Sequence, residues 1–504
     1  MRKRLSFKLF YTMIAAMAFI ISCSDDATVL NENELPQVSF IANLDAAGLA
    51  ATASSTYAHL QTQGLYQRFA YILPDTFSDE MVPSEDANFL PSSEFRITPI
   101  LDQTALYWTA CYNGISRCNF LLRNEEAIRA RIGNSDITEA DADMALGEAR
   151  FMRGLFYFFL VKRYGGVPLE LDEETPLTGI PRSSVDETYA AIISDLQQAT
   201  QLLPTKETLA AEDIGRATRG AALGMLGKVF LQRGMHAEAR QVLSEITGYT
   251  LLPREQYRDN FNDGGEFNDE SMFEVIFTGE DAMDQRWNAN GVGLGEVTFH
   301  AQEYTGWGNA RPSQKMIDEY EPDDHRLADH ILLPGDTFGA ADDQVNTNGN
   351  LWFKFSQLYE NDATTDFGAT NARVLRFSDV VLMQAEVENA LGNDAAAIDF
   401  LNQLRTRSEL PLYGSAEMDS RGFPVTTPAE VFNAIVHERM VELSAEQSRF
   451  DDLIRWNLDA QELAVDDNGF PRGYSPDIHR LMPIPQTEID TNDALTTADQ
   501  NPGF

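Results

Sequence analysis

The sequence contains little cysteine and little positive charge. Three cysteines among 504 residues cannot build a disulfide framework, so a chain of this size must depend on a packed core. Lysine and arginine number 38 against 78 acidic residues, which gives a formal net charge of −40. A field of this sign repels phosphate backbones and therefore argues against a nucleic-acid partner.

Signature motifs of catalysis and of metal binding are also missing. The sequence has no Gly-x-Ser-x-Gly elbow, no phosphate-binding P-loop and no His-Glu-x-x-His motif. His325 and His330 have poor helical spacing for a shared metal, and Asp466–Gly469 lacks the bidentate acid of a calcium loop, so we interpret the latter as a surface turn. We predict no cofactor, no metal and no catalytic residue. A glycoside hydrolase stays open, because two carboxylates need no signature.

A long hydrophobic run is absent except near the N-terminus. Residues 9–21 form a 13-residue apolar run after a basic start, which is short for a membrane span and typical of a signal peptide. The run ends at Ile20-Ile21-Ser22-Cys23, which resembles a bacterial lipobox. That resemblance implies that residues 1–22 are removed, that Cys23 is lipidated, and that residues 23–37 form a polar tether. A plain cleavage site with an incidental cysteine is the alternative.

Apolar periodicity divides the remaining chain into helical and irregular parts. Apolar residues recur at helical spacing in residues 38–247 and again in residues 374–465. Residues 248–373 are rich in Gly, Asn, Asp and aromatics with few short strand-like stretches, and residues 466–504 are proline-rich and loop-like. We therefore predict one domain, residues 38–504, that is mainly α-helical and carries an irregular, loop-rich insertion.

Two segments in the helical parts indicate paired helices. Residues 227–239 and 385–397 share one spacing. Each begins with a small residue, which is followed by a glycine seven positions later and by an alanine five positions after the glycine. The glycine suits the left-handed end of a first helix, and the small residues allow a second helix to approach closely. This spacing resembles tetratricopeptide repeats, so we predict tetratricopeptide-like helix pairs.

Several residues that could carry chemistry are assigned to the core. Cys111 and Cys118 lie about 10 Å apart along one helix, too far for a disulfide, so we predict free, buried thiols. Trp108 and Asn119 fall on the same buried helix face, where Asn119 is expected to bind backbone. The carboxylates at i, i+4 spacing in residues 438–446 are interpreted as structural ion pairs between packed helices.

A series of segments in a fixed order resembles one known family. The segments are residues 112–119, 148–160, 164–169, 182–204, 376–386, 438–456, 483–489 and 500–504. Together they resemble the SusD/RagB family, the cell-surface glycan-binding lipoproteins of Bacteroidota. The resemblance covers nearly the whole chain, and the departures are small: Phe450 and Phe504 stand where Trp and Tyr are common.

The resemblance implies a function as well as a fold. It implies a protein lipid-anchored through Cys23 on the outer face of an outer membrane, which binds an oligosaccharide or polysaccharide. The protein would pass this glycan to a SusC-like, TonB-dependent transporter without performing chemistry. A surface glycoside hydrolase and a peptide-binding uptake lipoprotein of the same fold are the alternatives.

Aromatic residues of the insertion are the candidates for glycan contact. Flat aromatic rings hold the apolar faces of sugars, while amides bind their hydroxyl groups. The predicted contacts are Trp287, Asn288, Tyr304, Trp307, Asn309 and, with a buried strand as the competing interpretation, Trp352.

The family resemblance adds a second stretch, and the charge pattern suggests the type of glycan. In the family, the loop that corresponds to residues 75–96 also carries ligand, and its candidates here are Phe77, Asp79, Asn88 and Arg96. Residues 287–307 contain no Lys or Arg, and Arg286 stands alone beside them. We therefore expect a neutral glucan, such as the β-1,3-glucan laminarin.

Overall fold

A computed structural model describes residues 40–82, 90–171, 176, 178–277, 310–339, 344–355 and 370–504 of the chain. This part is mainly α-helical with a few short strands, which confirms the predicted fold class. Among the described helices, none is long and apolar enough to cross a membrane. The predicted signal peptide, Cys23 and the tether up to residue 37 lie outside the described residues.

Helices dominate the first half of the described chain. They are α1 Ala46–Ser54, α2 Phe69–Phe77, α3 Leu90–Ser93, α4 Asp102–Arg123, α5 Glu125–Arg129, α6 Glu139–Tyr164, α7 Val185–Leu202, α8 Arg219–Gln232 and α9 His236–Leu243. The long helix α6 packs against both α4 and α7. Its start is fixed by a capping box, in which the Thr138 hydroxyl and the Asp141 carboxylate each accept the other's backbone N–H.

The middle of the chain is built from short strands and two short helices. The strands are β1 Met81–Val82, β2 Ser271–Val275, β3 Arg311–Pro312, β4 Ile331–Leu332, β5 Thr337–Phe338, β6 Gln344–Val345, β7 Leu351–Trp352 and β8 Ala372–Arg376. Helices α10 Gln314–Glu319 and α11 Arg326–His330 lie between β3 and β4. The described strands form four antiparallel pairs, β1–β3, β2–β8, β4–β7 and β5–β6.

Helices return in the last third of the chain. They are α12 Phe377–Ala390, α13 Asp394–Arg407, α14 Ala416–Ser420, α15 Pro428–Glu442, α16 Arg449–Trp456, α17 Asp459–Glu462, α18 Pro476–His479 and α19 Gln486–Thr491. Six 3₁₀ helices complete the described elements: Ala58–Gln61, Lys206–Thr208, Ala211–Asp213, Arg254–Asn260, Asp263–Gly265 and Thr497–Asp499. The proline-rich end of the chain thus contains two short helices within a mostly irregular path.

The two segments with repeat-like spacing form helix pairs, as predicted. Helices α8 and α9 pack on each other, and so do α12 and α13. Gly234 and Gly392, which follow the first helix of each pair, have φ of +66° and +80°, a conformation that favours glycine. A Cβ atom at Gly227 would lie 2.4 Å from the Leu243 side chain, so the absence of a side chain permits this close approach.

The core residues singled out in the sequence occupy the core. Trp108 is buried, and its indole N–H donates to Glu488. Cys111 and Cys118 are buried, free thiols. Asn119 donates from its side-chain amide to the Glu170 carbonyl oxygen, which is the backbone contact that we expected.

Buried ion pairs fasten the insertion to the C-terminal helices. Arg326 of α11 donates to Glu438 at 2.5 Å and to Glu442 at 3.0 Å. Arg376 at the end of β8 donates to Glu442 at 2.7 Å and holds Glu446 through two bonds of 2.8 Å. All five side chains are buried. The structural interpretation of these glutamates is confirmed, because their charges are neutralised by arginines from a different part of the chain.

Candidate functional site

The two stretches that the sequence indicated for ligand binding meet at one strand pair. In the early stretch, residues 75–96, strand β1 lies just before the undescribed residues 83–89, and β3 begins where the described chain resumes after residue 309. Met81 is paired with Pro312, and Val82 with Arg311. The Ser313 amide also donates to the Glu80 carbonyl oxygen at 2.8 Å. Although more than two hundred positions separate the stretches in sequence, their described ends lie side by side.

Most of the predicted glycan contacts fall outside the described residues. These are Trp287, Asn288, Tyr304, Trp307 and Asn309. They stay predictions.

The described chain on either side of those contacts is firmly held. Phe277 is buried, and its backbone N–H donates to the Asn371 side-chain oxygen at 2.9 Å. Ala310 is fully buried beside β3. The segment with the predicted tryptophans therefore starts and ends at fixed points.

Trp352 must be removed from the predicted set. It lies in β7, where it is paired with Ile331 of β4, and only 1% of its surface is exposed. A ring without an accessible face cannot stack on a sugar. The competing interpretation, a buried strand, is the one that the structure supports.

The described residues of the early stretch are mostly structural. Phe77 is buried and packs against Phe95 and Phe450, with ring centroids 5.9 Å and 5.2 Å away. Arg96 is exposed and bonded to Glu94, and Asn88 lies outside the described residues. Phe450, one of the departures from the family pattern, is therefore a core residue that fixes this stretch.

A cleft of about 550 Å³ opens beside the β1–β3 pair. Its walls come from β1, helix α10, helix α17 and the turn that follows α17. The polar side chains that matter most for its chemistry are Gln314, Lys315, Asp318, Gln461, Asp467 and Arg472. The cleft lies where the two candidate stretches meet and has a volume typical of ligand sites.

The Lys315 charge in this cleft is already neutralised. Its ammonium group donates to Asp79 at 2.5 Å and also binds Glu462. Asp79 in turn accepts two bonds from Arg449, of 2.8 and 2.9 Å. Burial opposes ionisation of Asp79, but Arg449 and Lys315 outweigh it and hold the pKa of this carboxyl well below its usual range. Asp79 is therefore an ionised partner of two cations and serves as a structural residue.

The Arg472 guanidinium is used to hold backbone. It donates to the carbonyl oxygens of Thr76, Ser78 and Ser93 at 2.6–3.3 Å. Its side chain is buried, and the resulting desolvation lowers the pKa of Arg472 to about 10. Arg472 thus fixes the floor of the cleft by tying together both ends of the early stretch.

The sequence did not reveal this cleft, although one of its walls was interpreted correctly. Asp466 accepts the backbone N–H groups of Asn468 and Phe470, and Gly469 has φ of +77°, so this run is the predicted turn. Its neighbour Asp467 reaches the backbone N–H of Gln314 at 2.6 Å. Because that contact spans 153 positions, local sequence pattern gave no signal for it.

Comparisons with known families match two models over most of the chain. The model described as "SusD family" matches residues 269–504. The model described as "Starch-binding associating with outer membrane" matches residues 33–231. Among curated proteins, SusD-like protein P2 of Formosa agariphila is 24% identical over 98% of this chain and 99% of its own length.

Solved structures share the same architecture. A SusD superfamily protein from Bacteroides vulgatus superposes with a TM-score of 0.75 and 26% identity, covering 91% of this chain and 99% of that one. Surface glycan-binding protein A from Bacteroides thetaiotaomicron, solved in complex with laminarihexaose, has a TM-score of 0.70 at 20% identity. The coverage is 90% of this chain and 98% of that protein. At such identity the second likeness concerns the fold alone.

Proposed function

Because the chain belongs to the SusD family, we propose that it captures a glycan at the cell surface and delivers it to a SusC-like, TonB-dependent transporter. The observation that carries the proposal is the β1–β3 pair, which joins the early stretch to the segment that contains Trp287 and Trp307. A ligand bound at this junction would contact parts of the chain that are distant in sequence. The protein binds the glycan and leaves it intact.

Aromatic stacking is the proposed basis of binding. Trp287 and Trp307 supply the platforms, and Tyr304, Asn288 and Asn309 supply further stacking and hydrogen bonds. Sugar rings present C–H faces and hydroxyl rims, so this mixture of flat rings and amides fits their chemistry. The described residues that flank the segment, Phe277 and Ala310, are both buried.

A neutral β-1,3-glucan is the proposed ligand class. Residues 278–309 contain a single basic residue other than histidine, Arg286, and residues 83–89 contain none. Anionic glycans would need several cations for their carboxylates or sulfates. The structural neighbour in complex with laminarihexaose supports the choice of a β-1,3-glucan as the first probe.

Membrane attachment is proposed to come from lipid on Cys23. The run of residues 9–23 carries the lipobox-like sequence, and one family model is described by association with the outer membrane. A diacylated N-terminal cysteine supplies two or more hydrocarbon chains, which is enough for stable anchoring.

Isothermal titration against oligosaccharides tests the proposed function. The mature protein is titrated with laminarihexaose, other neutral hexasaccharides and mixed peptides, and each sugar is then assayed for reducing-end release. We expect binding to a neutral glycan with no release. Release of new reducing ends would favour a glycoside hydrolase, and binding to peptides but to no glycan would favour peptide uptake.

A further inference from the structure

A groove of about 980 Å³ runs between helices α1 and α4, and none of the described candidates for glycan contact lines it. We infer that residues 32–39 of this chain, which end directly before the first described residue, Phe40, dock in this groove. They comprise the last part of the predicted tether and the two residues that follow it. The inference does not depend on glycan binding, because it concerns how the body of the protein is mounted.

Each wall of the groove is one face of a helix. One set of four residues at spacing i, i+3, i+4 and i+7 comes from α1 and the residue that caps its end, and a second set with the same spacing comes from α4. The two sets are Gly48, Ala51, Thr52 and Ser55, and Asn113, Ser116, Arg117 and Phe120. Each set extends over about 10 Å of helix axis. Since Ala51, Asn113 and Ser116 are exposed, no described element covers the groove.

The α1 wall presents a largely apolar surface although it contains two hydroxyl residues. Thr52 donates its hydroxyl hydrogen to the carbonyl oxygen of Gly48, and Ser55 donates to that of Thr52, both at 2.7 Å. Because the backbone already accepts both hydroxyl hydrogens, this wall requires few new hydrogen bonds from a ligand. The aliphatic side chains of Leu35 and Val38 can therefore lose apolar surface to it at little polar cost.

His59 shows that the groove lacks a polar partner. The residue is 6% exposed and lines the groove, and its Nδ1 has no hydrogen-bond partner among the described residues. Burial and the charge of Arg117 lower the pKa of His59 to about 4, so the ring is neutral near pH 7 and offers one donor and one acceptor. Buried polar atoms are normally bonded. A peptide backbone supplies the C=O and N–H groups that this ring can bind.

The charge of the groove is opposite to that of the segment. Arg117 is exposed and has no salt bridge to a described carboxylate. None of the described lining residues is acidic, although the chain carries a formal net charge of −40. Residues 32–39 contain Glu32 and Glu34 and neither lysine nor arginine. An acidic segment is repelled by an acidic surface, whereas this groove attracts it.

Phe40 brings the segment to the groove. Its ring lines the groove, with its centroid 6.0 Å from that of Phe120. Six positions separate Glu34 from Phe40, enough to span up to about 20 Å, and Pro36 favours an extended path. A segment attached in this way meets the groove at an effective concentration on the order of millimolar. A Kd of about 0.1 mM for the docking would then keep roughly nine-tenths of the grooves filled.

Docking shortens the link between the body of the protein and its proposed lipid. Residues 24–39 can reach up to about 55 Å, whereas residues 24–31, which stay outside the groove, can reach only about 27 Å. The face formed by α1 and α4 is then turned toward the membrane. This consequence rests on the proposed lipidation of Cys23, but the docking itself does not.

Hydrogen exchange of the segment tests the inference. The mature chain with Cys23→Ala, which stays in solution without lipid, is compared by mass spectrometry with a synthetic peptide of residues 32–39. We expect the amides of these residues to exchange about tenfold more slowly in the chain than in the peptide, as nine-tenths occupancy requires. Exchange at the rate of the free peptide would overturn the inference.

Charge variants locate the contact. We expect Arg117→Glu to reduce the protection about threefold, and the double variant Glu32→Gln/Glu34→Gln to do the same, because either removes an ion pair at a partly exposed site. In the double variant, Arg117→Glu should cause little further loss, since the pairing is already absent. Asp25→Asn/Asp26→Asn neutralises two acids of the same tether outside the docked residues and should leave the protection unchanged.

A matched surface variant controls for the reversal of charge. Arg233→Glu makes the same change at an exposed position outside the groove and should not alter the protection. If Arg117→Glu leaves the protection at the level of the wild type, the segment is held elsewhere and the inference fails. A melting curve shows whether Arg117→Glu is folded, and the Glu32→Gln/Glu34→Gln variant, which changes no described residue, tests the same pairing from the other side.

Two further measurements separate other occupants of the groove. Protection that disappears on dilution from 100 to 1 μM would show that a second copy supplies the segment. Protection that appears only when the proposed transporter is present would show that a partner is needed. Either result would overturn docking within one chain. Glycan affinity should be unchanged in all these variants, so failure of the inference leaves the proposed function standing.

Discussion

Arg153 shows how single side chains hold this helical fold together. The guanidinium is buried between α4, α6 and α7, where it donates to Asp195 at 2.7 and 2.8 Å and to Asn119 at 2.9 Å. Each partner comes from a different helix, so one residue fixes the relative placement of three. Arginine suits this position because its planar fork binds a carboxylate through two parallel bonds and still reaches a third acceptor.

Two tryptophans in the same insertion should respond oppositely to truncation. We expect Trp287→Ala to abolish detectable glycan binding and to leave the melting temperature nearly unchanged, because capture with release needs only about −4 to −8 kcal/mol in total. We expect Trp352→Ala to lower the free energy of unfolding by about 3–5 kcal/mol, because the ring is buried in β7. The measurements are isothermal titration with the preferred oligosaccharide, a melting curve for Trp287→Ala, and denaturant unfolding for Trp352→Ala.

Trp307→Ala serves as the second binding variant in this comparison. Its loss of affinity should be smaller than that of Trp287→Ala. If Trp287→Ala and Trp307→Ala both bind normally, the glycan is held elsewhere, and the cleft beside β1–β3 becomes the first candidate. If Trp287→Ala strongly lowers the melting temperature, that tryptophan is a core residue.

The raised pKa of His437 predicts a loss of stability at alkaline pH. The imidazole is buried, 2.7 Å from Glu319 and 3.7 Å from Glu321. Burial alone would lower its pKa, but the hydrogen bond to Glu319 and the nearby negative charge of Glu321 raise the pKa of His437 from 6.5 to about 9. A raised pKa in the folded state means that the protonated form stabilises the fold. This contribution is fully present below pH 6.5 and is lost as the pH rises through 9.

The corresponding measurement is the free energy of unfolding from pH 6 to pH 9.5. The change in pKa of His437 corresponds to roughly 3 kcal/mol across this window. Lys354, whose pKa is lowered to about 8 by burial, gives an opposite slope above pH 8. The test is therefore the difference between the wild type and His437→Gln, which should shrink as the pH rises. A difference that stays constant with pH would contradict the assignment.

The helix pairs could be predicted from sequence because their cause is local. Gly234 and Gly392 end a helix by taking a positive φ, and this requirement leaves a visible residue type at a fixed distance from the small residues that precede it. Strand β7 is two residues long, too short for a period to show, so Trp352 could equally well be interpreted as exposed. Helices α18 and α19, of four and six residues, were not predicted for the same reason.

The cleft could not be predicted because its causes are not local. Gln314, Asp318, Gln461 and Asp467 come from two regions some 150 positions apart, and each looks like an ordinary surface residue in its own segment. Their relation depends on how β1 and β3 pair and on where α10 meets the turn after α17. The family resemblance named the two stretches, and the structure then showed that their described ends adjoin.

A substitution at Gly227 tests the packing of α8 on α9. Alanine is the better helix former by about 1 kcal/mol, yet its Cβ would meet Leu243 at 2.4 Å. We expect Gly227→Ala to reduce the free energy of unfolding by about 1–3 kcal/mol, the usual cost of overpacking. The measurement is urea denaturation monitored by circular dichroism.

Gly234→Asn is the matched control for that substitution. Gly234 lies in the turn between the same helices, where a Cβ atom would meet nothing within 4 Å, and its positive φ is one that asparagine tolerates. We expect a change below about 1 kcal/mol, because asparagine visits this conformation readily. If Gly227→Ala is as stable as the wild type, the two helices can move apart and the close contact is not required.

At the scale of the whole molecule, the irregular insertion and the helices are joined through buried charge. Arg326 of the insertion and Arg376, three residues after it, bind the glutamates of α15 and of the loop after α15, and the strand pair β1–β3 joins the insertion to the early stretch. The loops proposed to hold glycan are therefore mounted on a rigid helical frame. Such a frame suits the proposed delivery of a glycan to a transporter, since a complex stable enough for delivery buries about 2,000 Å² or more.

The proposed lipid anchor is tested by replacing the cysteine that would carry it. We expect Cys23→Ala to yield a folded protein with unchanged glycan affinity, because Cys23 is far in sequence from the proposed glycan contacts. The variant should no longer sediment with the outer membrane, because it lacks the residue that would carry the lipid. The measurement is fractionation of cells followed by mass spectrometry of the N-terminal peptide. Contact with the proposed transporter could retain the variant, so the experiment is done in a strain from which that transporter is deleted, with the wild type in the same strain as control. A wild-type chain that stays on the membrane without lipid, or a Cys23→Ala chain that stays there without the transporter, would contradict the lipobox assignment.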